Sequence, residues 1–358
     1  DLRKSAPTRA RFVPALPLRS LDPAPEHDIE HAWPFADPAV RYTFSGTAGI
    51  FHAVNALGLK TGQTVLCPSY NCGHEIEPIL RAEFCVKAYR VDSELKVDLK
   101  DLENRIDEHV GAVLVTHYFG FPQDLKAVRE LCDRHNIYLI EDCAHALFSD
   151  NKEGTLGRTG DVAVYSIRKT IPVPNGGAVV INNPQLQFHN DIFDPPGLST
   201  ANKLLDLYKK SLLDHRSGYG SMLEWLLMPW IFFGIAAGIA MKKLGIPSKL
   251  AWWNPDNEDF GFDDEVLEWG MSQQSLVILK AADHTSIAKK RMENYHYLHN
   301  KLRSVKKCKL VFEDIPPNVC PLYLPIQVYN RGTLCFQLQR HKITASPWWE
   351  EFHNSIDW

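Results

Sequence analysis

Asp161-Val-Ala-Val-Tyr-Ser-Ile-Arg-Lys-Thr170, read with Ile140-Glu-Asp-Cys-Ala-His145 upstream of it, decides how this chain folds. Each stretch contains a short apolar run of strand length, and each run ends on chemistry-bearing side chains. Asp142 closes the first run, and Ser166 and Lys169 follow the second. In open α/β sheets ligands gather beyond the carboxyl ends of the strands, so both stretches point at one place. Taken singly, the acid reads as a helix cap or ion-pair partner and the lysine as a surface cation. As a pair they are what pyridoxal phosphate asks of a protein. A lysine amine holds the cofactor aldehyde as a Schiff base, and an acid keeps the pyridine nitrogen protonated so that the ring can draw electrons from a substrate carbon. No other lysine lies between Lys152 and Lys203, so a Schiff-base lysine at this strand end must be Lys169. The neighbouring Arg168 and partial burial are expected to lower its pKa toward the nucleophilic free amine.

Outward from this pair, short apolar runs alternate with helical stretches from about residue 44, the pattern of a largely parallel sheet covered by helices. The expected strands are Thr64–Pro68, Val86–Asp92, Ala112–His117, Ile137–Asp142, Val162–Ser166 and Ala178–Ile181. Leu125, Val128, Leu131 and Cys132 share a face of a helix between Asp124 and His135. A long helix is expected from Met271 to about Leu302. The apolar run Val319–Val328 and a helix near Gly332–His341 follow, the parts of a small α+β domain. The expected division is an arm over 1–43, a large cofactor-binding domain over 44–195, an apolar insertion or crossover over 196–265, and a small C-terminal domain over 266–358 that stops in its middle.

Composition narrows the function classes. With 45% apolar residues and 23% charged, 358 residues can bury a large core, which excludes a disordered or fibrous chain. A net charge of −4 with no basic block argues against a nucleic-acid partner and for small-molecule substrates. The 8 cysteines form no Cys-x-x-Cys pair and several fall inside apolar runs, so reduced thiols in a cytosolic protein are expected. The nearest approach to a metal site is Cys67, Cys72 and His74 in one loop, too sparse for zinc, and no metal is expected. Residues 1–40 carry prolines and arginines and no apolar signal core. The uncharged run Trp225–Met241, 17 residues long and followed by Lys242 and Lys243, reads as a buried helical hairpin or a subunit contact broken at Pro229. A secondary reading is peripheral membrane association through shallow insertion, with Trp225 and Trp230 at the headgroups.

Two further stretches bear on the site. In Ser45-Gly-Thr-Ala-Gly-Ile50 a serine and a glycine open a helix whose free amides, with the Thr47 hydroxyl, suit a phosphate. Pro172-Val-Pro-Asn-Gly-Gly177 is a rigid turn whose glycines let backbone approach a ligand. His145, three residues past Asp142, reads either as a partner for a ring hydroxyl of the cofactor or as a side chain that fills space beside the sheet.

The order phosphate loop, acidic strand end, serine, lysine, glycine pair resembles the DegT/DnrJ/EryC1/StrS sugar aminotransferases, which have the type I fold of pyridoxal-phosphate enzymes. The likeness rests on Ser45-Gly-Thr-Ala48, Ala56-Leu-Gly-Leu-Lys-Thr-Gly-Gln-Thr-Val65, Cys67-Pro-Ser69, Thr116-His-Tyr-Phe-Gly-Phe-Pro122, Glu141-Asp-Cys-Ala-His145, Gly160-Asp161 and Gly176-Gly-Ala-Val179. It is strong over 45–182 and loose over 265–355.

The resemblance implies that Gly46 and Thr47 bind the cofactor phosphate with Ser166. Asp142 then pairs with the pyridine nitrogen, and His145 stands where the family has glutamine or histidine. Lys169 forms the internal aldimine and shuttles the proton. It also implies glutamate or another amino donor, a nucleotide-linked keto-sugar acceptor, and a homodimer with its sites near the subunit boundary. Three departures mark a divergent branch. Ser166 and Lys169 are closer in sequence than the family's serine and lysine. Cys72 stands where a ring-stacking aromatic is expected, with Tyr70 and His74 nearby. Glu268-Trp-Gly-Met271 lacks the asparagine that a partner subunit contributes to the phosphate. Two alternatives remain beside amino transfer. One is a dehydratase-like enzyme on the same fold, against which Lys169 counts because a histidine usually replaces the lysine there. The other is a non-catalytic regulatory or membrane-associated interaction protein.

Overall fold

Thr64–Pro68 (β2) and Val110–Thr116 (β4) are buried from end to end, because strands covered on both faces have no solvent side to keep polar. The computed structural model describes residues 29, 32–154, 156–189, 191–214, 264–341, 343–349 and 353. Five more strands join these two: Arg41–Thr43 (β1), Cys85–Tyr89 (β3), Tyr138–Asp142 (β5), Val162–Tyr165 (β6) and Gly177–Ile181 (β7). They form one 7-stranded sheet in the order β1-β7-β6-β5-β4-β2-β3. Strands β3, β2, β4, β5 and β6 run parallel, whereas β7 is antiparallel to both β6 and β1. The expected largely parallel sheet is therefore present.

Alternation along each strand sends successive side chains to opposite faces. On one face Val65, Cys67, Leu114, Ile140, Val162 and Val164 pack with Ile50, Val54 and Leu57 of the helix Gly46–Ala56 (α1). On the other, Leu66, Val113, Val115 and Leu139 pack with Val128, Leu131 and Cys132 of the helix Lys126–His135, whose apolar stripe the sequence spacing predicts. Burying a leucine or valine on either face contributes on the order of 1.5–3 kcal/mol. The two layers fix the strand ends relative to one another, and those ends carry the site.

The structure corrects three expectations. The long helix from Met271 to Leu302 is two helices, Gln273–Lys280 and His284–Leu302. Asp283 caps the second by accepting from the Ser286 amide at 2.9 Å, which breaks the helix where apolar spacing alone runs on. The strand expected over Val86–Asp92 ends at Tyr89, and the apolar run Val319–Val328 contributes only the two-residue strand Ile326–Gln327, paired with Lys309–Leu310. The edge strand Arg41–Thr43 lies inside what reads as an arm. Residues 1–28 of that arm and the run 225–241 lie outside the described residues. Among the described residues no helix is long and apolar enough to cross a membrane.

Candidate active site

Period-2 alternation carries Thr116 and Asp142 to the α1 side of the sheet, opposite each other in the β4–β5 register. The same alternation brings Ser166, two residues past Val164, to that side. Helix α1 begins directly over this edge. Its N-cap Ser45 accepts from the Ala48 amide at 3.2 Å, which leaves the amides of Gly46 and Thr47 as the helix's open donors. A Cβ placed on Gly46 would stand 3.0 Å from the Ser166 Cβ, so the helix start and the serine hydroxyl share one small space. Gly177 opens this gap from below. A Cβ there would press on the Ser45 carbonyl and come within 2.7 Å of the Gly46 nitrogen, both backbone atoms with no freedom to yield. Gly177→Ala is therefore expected to cost about 1–3 kcal/mol of stability by overpacking and to weaken phosphate binding at the helix start. Melting temperature and pyridoxal phosphate affinity check the two effects separately.

Asp142 and His145 meet beside this cradle. Asp142 is fully buried; one carboxylate oxygen accepts from the Ala144 amide at 2.9 Å and the other has no partner. Burial pushes its carboxyl up, against the pull of the Lys169 amine and the Ala144 amide. His145 is 2% exposed, and its Nδ1 accepts from the Phe119 amide at 3.4 Å. The proton therefore sits on Nε2, which also has no partner. Burial and then the Lys169 charge hold the imidazole well below its ordinary pKa, so it is a neutral N–H donor. Phe119 adopts a left-handed backbone (φ 56°), a conformation costing on the order of 1–3 kcal/mol outside glycine.

Lys169 ends the short 3-10 turn Ile167–Lys169 after β6. Its charge acts on Cys72, His74, Glu75, Asp142 and His145. The amine identified in the sequence is thus near enough for its charge to act on the acid identified there. Thr116, Asp142, His145 and Glu75 each bury a polar atom without a partner, all near the same strand ends. Buried polar atoms are almost always satisfied, so a cluster of exceptions marks the place of a polar ligand. Pyridoxal phosphate fits this donor set: open amides and hydroxyls for its phosphate, an acid for its ring nitrogen, an N–H for its ring hydroxyl and an amine for its aldehyde.

The surroundings also follow the sequence's departures. Cys72, half-buried at the turn after β2, directs its thiol toward Glu75 at 3.7 Å, and burial raises its pKa. His74 is lowered to about 4, by burial first and by the Arg168 and Lys169 charges second. Tyr70 donates to the Trp348 carbonyl at 2.5 Å. Trp349 lies 4.6 Å from the Tyr70 ring and 6.0 Å from the His145 ring, inclined to the latter by only 25°. The tryptophan pair reaches His145 from a segment some 200 residues away in the chain, a contact no local pattern announces. Glu75 and Thr116 were likewise not singled out by the sequence. The signal for Glu75 is its spacing, an acid three residues after the cysteine that replaces an aromatic.

His117, Glu141 and Cys143 bring ligand-type atoms within 4.8 Å of one another. The histidine and carboxylate atoms are already spent. Glu141 accepts from the amides of Gly157 (2.8 Å), Thr159 (2.7 Å) and Gly160 (2.5 Å) and from His117 Nε2 (3.1 Å), while His117 Nδ1 accepts from Gln123. This cluster is a hydrogen-bonded brace on the face of β5 opposite Asp142.

Comparison with known proteins bears on the family and the fold. GDP-perosamine synthase of Vibrio cholerae is 32% identical over 142 residues, 39% of this chain and 39% of that protein. L-glutamine:2-deoxy-scyllo-inosose aminotransferase of Streptoalloteichus tenebrarius is 30% identical over 145 residues, 40% of this chain and 34% of that protein. The matches thus span under two-fifths of the length of these two relatives. Among solved structures, AtS13 from Actinomadura melliaura aligns with a TM-score of 0.61 at 19% identity, over 99% of this chain and 88% of that one. The sugar aminotransferase CalS13 from Micromonospora echinospora aligns with a TM-score of 0.58 at 19% identity, over 93% and 84%. These structural likenesses carry the fold, which is type I. Residues 39–223, which hold the whole sheet and every group described at its edge, match the model of the DegT/DnrJ/EryC1/StrS aminotransferase family, and the chain belongs to that family.

Proposed function

We propose that the protein is a pyridoxal-phosphate-dependent aminotransferase that moves the amino group of an amino acid such as glutamate to a nucleotide-linked keto sugar. The observation that carries this reading is that one partnerless carboxylate oxygen and one partnerless imidazole N–H are buried where the charge of the half-buried Lys169 acts on both. The family and the aminotransferase among its relatives support the choice of reaction class. When bound, pyridoxal phosphate supplies an electron sink for the carbon that bears the amino group.

Each residue then has a distinct task. The Gly46 and Thr47 amides, with the Thr47 and Ser166 hydroxyls, hold the phosphate, and the helix N-terminus adds its partial positive charge. The free oxygen of Asp142 accepts from the ring nitrogen and keeps it protonated. His145 Nε2–H donates to the ring hydroxyl, and its neutrality avoids adding a second cation beside Lys169. Lys169 Nζ would hold the cofactor aldehyde covalently and, as a free amine, would be the base that moves the substrate proton, a role in which a positioned base contributes about 10²–10⁴-fold. Cys72 lines the same space without a ring to stack. The tryptophans at 348 and 349 shield the His145 side from water.

The reading includes a homodimer and a cytosolic location, the latter supported by free cysteines throughout. Its test is spectroscopic. Protein reconstituted with pyridoxal phosphate is expected to turn yellow and to lose its visible band when glutamate is added. A colourless reconstituted protein, or a band that no amino acid alters, would sink the proposal.

A further inference from the structure

Arg291 has no task in the scheme above, yet it reaches the lysine turn from 122 residues along the chain. It projects half-buried from the helix His284–Leu302, and its guanidinium donates to three backbone carbonyls: Nη2 to Lys169 at 3.4 Å, and Nη1 to Pro321 at 3.3 Å and Leu322 at 3.2 Å. A guanidinium is planar, always charged and donates from several nitrogens at once, so it bridges two separate segments as a compact ammonium does not. One of those segments is the turn of Lys169, whose own amide reaches the Ser166 carbonyl only at 3.4 Å. The other is tied to the rest of the site. The Leu322 amide donates to the Phe119 carbonyl at 2.8 Å, and the Phe119 amide donates to His145 Nδ1. The Cys320 amide donates to the Ser149 hydroxyl at 2.9 Å, that hydroxyl donates back to the Cys320 carbonyl at 3.3 Å, and the Asp150 amide donates to the Asn318 carbonyl at 2.8 Å. A Cβ on Gly120 would stand 2.5 Å from the Cys320 carbonyl oxygen, so the two backbones are as close as they can be. Residues 318–322 thus bond both to the loop that holds His145 and to the chain just past it, and Arg291 joins them to the turn of Lys169.

We propose that Arg291 is a positioning residue for the reaction: it clamps the Lys169 turn to the segment that holds His145, so that the amine and the imidazole keep one geometry. The proposal rests on the reading of Lys169 as the cofactor lysine. Arg291 acts through the Lys169 carbonyl and not on the amine. Without the clamp the turn is free to shift at the root of a long, flexible side chain, and a misplacement of about 1 Å costs about 10²-fold in rate. Packing alone alters how much protein is folded; positioning alters the rate of each loaded site.

The test compares the wild-type chain with Arg291→Met, which keeps the apolar stem and removes every donor, and with Arg291→Lys, which keeps the charge without the bridge. In cofactor-free Arg291→Met, hydrogen exchange is expected to quicken by about tenfold or more at the amides of Lys169, Thr170 and Leu322 together. In protein loaded with pyridoxal phosphate, kcat per bound cofactor is expected to fall by about 10²-fold while KM for the amino donor stays within about twofold, the split produced by losing an interaction that matters only after binding. Arg291→Lys is expected to lie between the two. Unchanged exchange at Lys169 and Thr170, or a kcat per bound cofactor within about threefold of wild type in Arg291→Met, overturns the proposal. If Arg291→Met fails to fold, the same two readings on Arg291→Lys decide. Wild-type protein that forms no borohydride-trapped adduct at Lys169 would defeat the cofactor reading instead, and exchange in the cofactor-free variants would still decide the clamp.

Discussion

Lys169→Ala is expected to abolish covalent attachment of pyridoxal phosphate and to lower amino transfer by at least about 10³-fold, with the fold unchanged. The size of the loss follows from two separate tasks on one nitrogen, covalent capture and proton transfer, the second alone worth about 10²–10⁴-fold. The fold is expected to survive because Lys169 is only half-buried. Its backbone makes two contacts: the amide donates to the Ser166 carbonyl at 3.4 Å and the carbonyl accepts from Arg291 at 3.4 Å. Truncation to alanine leaves both bonds in place, and removing the amine relieves no buried ion pair of good geometry. The check is the mass of the borohydride-reduced protein beside its melting temperature. A variant that still carries one reduced cofactor per chain would show that another amine does the work. Small primary amines added to the variant are expected to restore part of the proton transfer but none of the attachment, which separates the two tasks.

Much of this site was legible in the sequence because it is built from strand ends. A strand buried on both faces is a continuous apolar run, as in Val110–Thr116, so its terminus can be read to within a residue or two, and the polar side chain there stands out. The candidates Asp142, Ser166 and Lys169 are legible in this way, and the candidates Gly46 and Thr47 through the capping signature of α1. What escaped depends on contacts distant in the chain. Arg41–Thr43 is a strand only because β7 lies alongside it, and three residues carry too little pattern to announce themselves. The break before His284 turns on one capping carboxylate within an unbroken apolar period. Trp348 and Trp349 meet His145 across more than half of the chain. Glu75 reads as an ordinary turn acid until burial removes its water.

Glu141→Ala is expected to be among the most destabilising single changes in the protein, lowering stability by about 3–5 kcal/mol. Glu141 is fully buried, and its two oxygens serve three amides of the 157–160 loop and the His117 imidazole. Truncation leaves four donors facing apolar neighbours without water, and the loss is the desolvation of all of them rather than of one bond. Because His117 Nδ1 accepts from the Gln123 amide, its proton lies on Nε2 and is directed to Glu141. That pair holds the loop 117–123, on which Phe119 turns its amide to His145. The damage should therefore reach the site indirectly: His145 loses the acceptor role that fixes its tautomer, and cofactor affinity falls along with stability. Glu141→Gln keeps the shape and part of the acceptor capacity, so it is expected to lie between the two. Denaturant unfolding of the three proteins gives the order, and a Glu141→Ala protein within 1 kcal/mol of wild type would mean that the brace is satisfied by water instead. The adjacent acids of β5 thus divide by face: Glu141 spends every lone pair on its own chain, and Asp142 keeps one free, which is why only the second can meet a ligand.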